Sequence, residues 1–554
     1  MDSRFHPLAG TRPKIEDLVT QEEMKEKYFN SKEGLLPVKN GTSGHRGKTG
    51  AAFSETHVAA MTQALADIKQ ERGAFGPTVP SQGGENLSSA GPSGSVILGK
   101  DVRFTSDFAQ KTAAEVFAAN GMKVVIQKGG RSTPTPVVSH EIISRNNGGG
   151  NCEGVIITAS HNPPEDAGYK SNGADGGPNT RTAPVDELAA GYLKSPEKIK
   201  RVDYEQAVKK GLIEEEDFLA SYVAALGSVI DIDVLKGISF GATSLGGSAH
   251  GYYEAVNERY GTKIQVVLPD PDPASKLRTY DWDGKLRGDP SSYLAMKALD
   301  GFLDKLKVPF IGANDNDADR FGGVDSTGVL NPNHVLCVVF DYLSKTRGFS
   351  SSMGLGRTIG STHMLDLIAQ GHKRAVQEVN VGFKWYVEGL TKGKYVLAGE
   401  ESAGLSFPKL DGSLWVTEKD GIAAVLLLME IVSRTGKEIG TLYSELEQKY
   451  GPHQYERLDT PATPQKKERL KELSNNPSET RQLLNNKKIS GRSIERVTVG
   501  DGVKVVLEGG VWVLKRASGT ENIIKDYREE RGDSLDTVRK ASLEIDAVLG
   551  LSAL

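Results

Sequence analysis

The chain has 554 residues, of which 38% are hydrophobic and 25% charged, with a net charge of −4. That balance describes a globular protein with chain enough for three to five packed units, and it gives no general reason to expect nucleic acid or an anionic membrane as partner. The two cysteines, Cys152 and Cys337, cannot make a disulfide framework and fit no zinc spacing, and the longest apolar run, 422–429, falls far short of the ~20 residues that span a bilayer. With a start that lacks an apolar signal core, these features predict a cytoplasmic protein.

The first notable segment is G-T-S-G-H-R-G-K at 41–48. Glycine-rich and cationic, it suits neutralisation of a phosphate. It is not a Walker A loop, because it lacks the earlier glycine and a preceding strand. Residues 73–94 are rich in Gly, Ser and Pro and read as a mobile surface loop. Strands are then predicted at 95–98, 122–127 and 154–157, and helices at 107–119 and 136–145. This alternation predicts βαβ units and a largely parallel sheet.

The strand ending at Ile157 leads into T-A-S-H-N-P-P at 158–164. This segment places the Ser160 hydroxyl beside the His161 imidazole, and two prolines stiffen the loop. A serine on a stiff strand-end loop suits covalent catalysis, and a simple polar turn reads the same way.

Further strands are predicted at 237–242, 263–268 and 308–312, with a helix at 249–260. The strand at 308–312 runs into D-N-D-A-D-R at 315–320. Asp315, Asp317 and Asp319 can converge on one hard cation, and with no EF-hand glutamate the set suits Mg²⁺ with a position left for a phosphate oxygen. The alternative is an acidic surface turn. Two bare carboxylates ~4 Å apart repel by about 4 kcal/mol at an effective dielectric of 20, so convergence implies a counter-cation. Cys337, in the apolar run 335–339, is expected in the core. His334 and His363 read as structural.

Strands at 374–379 and 394–397 precede G-E-E-S-A-G at 399–404, where Glu400 and Ser402 can hydrogen-bond sugar hydroxyls; a solvated loop has the same composition. The last hundred residues differ in grammar. Strands at 494–499, 503–507 and 511–514 are joined by D-G and G-G turns that favour hairpins. A helix follows at 535–549, with Leu535, Val538, Ala541, Ile545 and Val548 on one face and Ser534 as N-cap. Within R-A-S-G-T-E-N at 516–522, Arg516, Ser518, Gly519 and Thr520 can cradle a phosphate, Lys525 adds charge, and a tight turn is the plainer reading. The expected fold class is α/β: three related α/β domains with mixed sheets plus a C-terminal α+β domain around a central cleft. The expected divisions are 1–205, 206–325, 326–447 and 448–554.

With these five segments in hand, the chain resembles the bacterial phosphoglucomutases of the α-D-phosphohexomutase superfamily. The likeness runs from Gly41 to about Leu549 and includes N-P-N-H at 331–334, V-G-F-K-W at 381–385 and T-E-K-D-G-I at 417–422. It implies reversible conversion of glucose 1-phosphate to glucose 6-phosphate through glucose 1,6-bisphosphate. Ser160 would carry the phosphoryl group and, with Asp315, Asp317 and Asp319, hold Mg²⁺, with Arg320 beside them. Glu400 and Ser402 would grip the sugar, and Arg516, Ser518, Gly519 and Thr520 the idle phosphate. Lys170 falls where the family has a lysine proposed for proton transfer, and Arg46 falls on its N-terminal basic position. His45 and Lys384 are further candidates. Closure of the C-terminal domain would exclude water, with a hinge expected near 450–463.

There are departures. Ala517 replaces a proline common in the family, and 357–364 is looser than the usual pattern. Gly404 stands where the phosphomannomutase/phosphoglucomutase branch has a histidine, which favours glucose over mannose. The alternatives are a mannose or broader hexose mutase, a bisphosphate synthase or slow hydrolase, and a non-catalytic sugar-phosphate sensor.

Overall fold

The computed structural model describes residues 5–31, 34–74, 94–518 and 522–552. Most of the expected 73–94 loop, and Gly519 and Thr520 of the expected phosphate cradle, therefore lie outside the described residues. The described residues form four sheets with helices packed on them.

The first sheet has a parallel centre, with Cys152–Ile157, Ser95–Lys100, Lys123–Gln127 and Ile213–Glu216 side by side. Its side chains alternate between two cores. Val96, Leu98 and Val155 join the core under Glu55–Arg72 and Phe104–Ala119, while Ile97, Val125 and Ile156 join the one under Thr135–Asn147. Both faces are covered, which is why these strands read as unbroken apolar runs. The antiparallel edge is formed by Asp166–Asn172, Gly44–Lys48 and Asn40–Gly41. Ile213–Glu216 belongs to this sheet, so the sheet runs past residue 205. The segment expected as a cationic loop at 41–48 is largely strand, because pairing with Asp166–Asn172 satisfies a backbone whose glycines carry no strand propensity of their own.

The second and third sheets repeat one arrangement. In the second, Ile311–Asn314 runs parallel to Ser239–Thr243, then turns back through 315–320 into antiparallel Phe321–Asp325. In the third, Tyr395–Glu400 runs parallel to Gly354–Thr358, then turns back through 401–403 into Gly404–Ser406. The first sheet does the same from Cys152–Ile157 through 158–165 into Asp166–Asn172. Each hairpin tip holds a non-glycine residue in the left-handed region: Ser160 at φ 52°, Ala318 at 53° and Ala403 at 67°. Such backbone costs of order 1–3 kcal/mol and persists where its surroundings over-determine it.

Two expected strands move. The strand expected at 308–312 lies at Ile311–Asn314, since Pro309 has no N–H to give a neighbour. The strand expected to end at Leu397 continues to Glu400, which is strand-borne and not in a free loop. The apolar run 422–429 lies in the helix Gly421–Thr435, buried between the second and third sheets. Cys337 is fully buried in the helix Pro332–Thr346. No helix among the described residues is long and apolar enough to cross a membrane.

The fourth sheet is antiparallel throughout. Val503, Val505, Val511 and Val513 face the helices Pro464–Asn475 and Asp536–Val548, while Trp512, Leu514 and Tyr527 face Ile359 of the third sheet's region. Leu535 stands at the N-cap of the last helix, and Ser534, one residue earlier, accepts the Asp536 N–H at 3.3 Å. His453–Pro461 pairs with Ile523–Arg531 along its whole length, so within 450–461 only Gly451 and Pro452 lie between the helix Ile439–Tyr450 and the sheet.

Candidate active site

The three hairpin tips meet. Ser160 is 1% exposed, and its Oγ donates to Asp315 Oδ2 at 2.8 Å and lies 3.3 Å from His161 Nδ1. Its loop is held by one buried arginine that sequence reasoning missed. Arg103 Nη1 donates to Pro163 O (2.5 Å) and Asp166 O (3.0 Å), and Nη2 to Ser160 O (2.7 Å) and Asn162 O (2.6 Å). Asp101 pins the other side of this guanidinium at 3.0 Å and also accepts the Thr158 hydroxyl at 2.7 Å. The available signal was position: D-V-R follows Ser95–Lys100, whose carboxyl end lies beside that of the strand before Ser160.

Asp315, Asp317 and Asp319 each offer a carboxylate oxygen within 4.8 Å of the others, all buried. Lys170 Nζ donates to Asp317 Oδ2 (2.5 Å) and Asp319 Oδ2 (2.9 Å), Thr135 Oγ1 to Asp317 Oδ2 (2.8 Å), and Lys419 Nζ lies 3.1 Å from Asp319 Oδ2. The Oδ1 atoms of Asp317 and Asp319 are buried with no hydrogen-bond partner among the described residues. Hard, converging and partly unsatisfied oxygens are a donor set that fits a divalent cation.

Burial and two adjacent carboxylates push Asp315 well above the carboxylate range. Burial would also raise Asp319, but Lys170, Lys419 and Arg320 hold it down. Lys170 is kept as an ammonium by Asp317 and Asp319 against its own desolvation. Arg46 is half-buried near the same carboxylates, its Nη1 3.5 Å from Asn162 Oδ1.

The metal hairpin is stitched to its neighbours through main chain. Thr135 N donates to Asp317 O (2.9 Å), Phe321 N to Ala403 O (3.0 Å) and Gly421 N to Ala318 O (3.0 Å). A Cβ on Gly421 would collide with the Arg320 carbonyl, so only glycine permits that approach.

From the third sheet, Glu400 is 3% exposed, accepts the Gly382 N–H at 2.9 Å through Oε1, and stands 3.4 Å from Ser402 Oγ through Oε2. Glu400 thereby shapes the loop carrying Lys384, whose Nζ lies 5.5 Å from the Trp385 ring centroid. Lys419 runs past Gly404, where any side chain would displace its stem. Arg320 Nη1 donates to Asp289 at 2.9 Å.

Arg516, still within the strand Val511–Ala517, is directly opposite Lys525; it pairs with Asp501 at 2.8 Å, and Asp501 also accepts the Val381 N–H at 3.1 Å. Ser518 N donates to Ile523 O at 3.1 Å. Through Asp501 these residues meet the loop at 381–384 from the fourth sheet. His45 is not brought to the cluster. On its strand it alternates with Arg46, its Nε2 donates to Ala52 O (2.7 Å), and the Lys39 N–H donates to its Nδ1 (3.1 Å).

Models for the phosphoglucomutase/phosphomannomutase alpha/beta/alpha domains I and III match residues 37–195 and 331–450. The chain is 39% identical over 545 residues to a phosphoglucomutase of Komagataeibacter xylinus, covering 94% of this chain and 93% of that protein. Among solved structures it resembles the exocytosis-sensitive phosphoprotein pp63/parafusin of Paramecium, a phosphoglucomutase in its open form. That match has a TM-score of 0.71 at 21% identity and covers 94% of this chain and 96% of that one. It also resembles a phosphoglucomutase/phosphomannomutase family protein of Burkholderia thailandensis, with a TM-score of 0.68 at 17% identity, over 92% of this chain and 97% of that one. These two likenesses are of fold.

Proposed function

The chain belongs to the phosphoglucomutase/phosphomannomutase family, and from that premise we propose that it is a phosphoglucomutase, interconverting α-D-glucose 1-phosphate and glucose 6-phosphate. The observation that carries the reading is the Ser160 hydroxyl, buried on a strained hairpin tip and hydrogen-bonded to the first of three converging aspartates. A serine so held is a phosphoryl carrier, and the aspartates beside it suit Mg²⁺, held by Asp315, Asp317 and Asp319 together with an oxygen on Ser160. When bound, the metal neutralises charge on the transferring group.

The protein's own groups do the rest. The phosphoryl group leaves Ser160 Oγ for the free hydroxyl of the hexose monophosphate, giving glucose 1,6-bisphosphate. The bisphosphate turns over and returns its other phosphate to Ser160. Arg103 fixes the loop, so the serine needs no reorganisation at either step. Lys170, Arg46, Arg320 and Lys419 supply positive charge around the reacting phosphate, Lys170 as an ammonium. Glu400, Ser402 and Lys384 contact the sugar. Arg516, Ser518, Gly519, Thr520 and Lys525 receive whichever phosphate is idle. The four-domain division, with the C-terminal unit closing over the cleft, is part of this proposal. Gly404, where the phosphomannomutase/phosphoglucomutase branch has a histidine, supports glucose over mannose.

A coupled assay from glucose 1-phosphate, with Mg²⁺ and trace glucose 1,6-bisphosphate, tests the reading. Turnover lost in Ser160→Ala and in EDTA is expected, with mannose 1-phosphate a poor competitor. Folded, metal-supplied wild-type protein that leaves glucose 1-phosphate untouched would refute it.

A further inference from the structure

The connection between the strands Lys263–Val266 and Ile311–Asn314 supplies none of the residues assigned above, yet it grips the metal hairpin at three points. Arg278, 2% exposed, donates through Nε to Leu245 O at 3.0 Å and through Nη2 to the Asn316 side chain. Pro290 packs against Gly322 so closely that a Cβ there would stand 2.6 Å from the proline ring. Between them, Asp289 Oδ2 accepts Arg320 Nη1 at 2.9 Å and lies 3.8 Å from His161 Nε2. Its other oxygen accepts the Ser291 N–H (3.0 Å) and hydroxyl (2.6 Å), so the carboxylate cannot swing away.

The connection is itself tied down from outside. His6 N donates to Trp282 O (2.8 Å), Gly10 N to Tyr280 O (2.7 Å) and Tyr280 N to Thr11 O (2.9 Å). Within it, Arg287 bonds Asp283 at 2.7 Å and Ser292 bonds Asp281 at 2.6 Å. The N-terminal residues and this connection together form a strap whose only carboxylate in contact with both Arg320 and His161 is Asp289, among the described residues.

We propose that Asp289 is a positioning residue for phosphoryl transfer, holding the Arg320 guanidinium, with His161 beside it, over Ser160. The proposal rests on the mutase reading above. Arg320 is drawn first by Asp289, then by Asp315 and Asp319. Its backbone N–H already donates to Asp315 Oδ1 at 3.1 Å, and its Nε is buried without a partner among the described residues. Without the Asp289 charge, the strap no longer draws the guanidinium away from Asp315 and Asp319, the carboxylates that suit the metal. There it would compete with the cation and leave the phosphoryl oxygens. Asp289 thus keeps one positive charge available to the transferring group and away from the aspartates.

Asp289→Asn preserves shape and the Ser291 contacts while removing the charge. The expected result is a fall in kcat of roughly 10–100-fold, with KM for glucose 1-phosphate within about threefold. In an Arg320→Ala background the same substitution should cost almost nothing further, because it acts through Arg320. A merely structural role would instead add its full loss in that background. Should Asp289→Asn fold poorly, Asp289→Glu carries the same cycle, with a smaller fall in kcat that again vanishes beside Arg320→Ala. Variant kcat within twofold of wild type, or additive losses in the cycle, would overturn the proposal. Absence of turnover in the wild type would overturn the mutase reading first, and this one with it.

Discussion

Ser160 and Asp315 stand 155 residues apart in the chain and 2.8 Å apart across two sheets, hydroxyl to carboxylate. The bond places the hydroxyl proposed as phosphoryl carrier at the edge of the three aspartates, so a cation held by them would sit beside it. Mg²⁺ at 100 times its Kd should stabilise the wild type by about 2.7 kcal/mol, read as a rise in thermal midpoint. In Asp315→Asn that rise should disappear together with turnover. A full midpoint shift in the variant would mean the cation sits elsewhere.

Arg103 gathers four carbonyl oxygens of the Ser160 loop and pairs with a buried Asp101. Arg103→Ala leaves that buried carboxylate without its paired cation and should cost about 3–5 kcal/mol, measured by urea unfolding. Arg103→Lys, with a point charge in place of a planar fork, should recover only part of the loss.

His334 stacks on Tyr443 with centroids 3.6 Å apart, and its burial lowers its pKa to about 4. The unfolded chain takes up this proton near pH 6.5, the folded chain only near 4. Stability from this group is therefore complete above about pH 6.5 and is lost as pH falls toward 4, by up to about 3 kcal/mol. His334→Phe should flatten that part of the stability–pH curve while leaving turnover at pH 7.5 within about twofold. An unchanged acid slope would show that the imidazole is not desolvated.

Arg516 bonds Asp501, which in turn accepts the Val381 N–H beside the sugar loop. If Arg516 receives the idle phosphate, Arg516→Ala should raise KM for glucose 1-phosphate by roughly 10–100-fold, the worth of one or two charge-assisted hydrogen bonds. Phosphorylation of Ser160 by glucose 1,6-bisphosphate at saturation should be much less affected. An unaltered KM would place the idle phosphate elsewhere.

The chemistry-bearing tips were legible because each is a short contiguous segment after an apolar strand: Ser160, the three aspartates, and Glu400 with Ser402. What joins them was not. Arg103, Thr135 and Asp289 reach the cluster from segments that are ordinary in isolation, Lys419 from 417–422, where nothing in the residue types assigns it a role, and nothing local distinguishes an arginine facing solvent from one facing four carbonyls. The strand Asp166–Asn172, which carries Lys170, escaped notice because its residues are mostly polar or small and its burial comes from its neighbours. His45 was misplaced by a single register step, since alternate residues of one strand face opposite sides.

The main-chain bonds that tie the 315–320 hairpin to Thr135, Ala403 and Gly421 make a seam through three sheets. Such bonds fix the spacing of the pieces they join, whatever the side chains. Crossovers between distant relatives inside residues 95–435 should therefore yield misfitting hybrids. The fourth sheet is joined by side-chain contacts such as Lys504 to Ile359 O and Asp501 to Val381 N, and exchange of this piece should be better tolerated. On the proposed function, recombination would then vary the piece assigned to the idle phosphate and leave the proposed reacting centre whole.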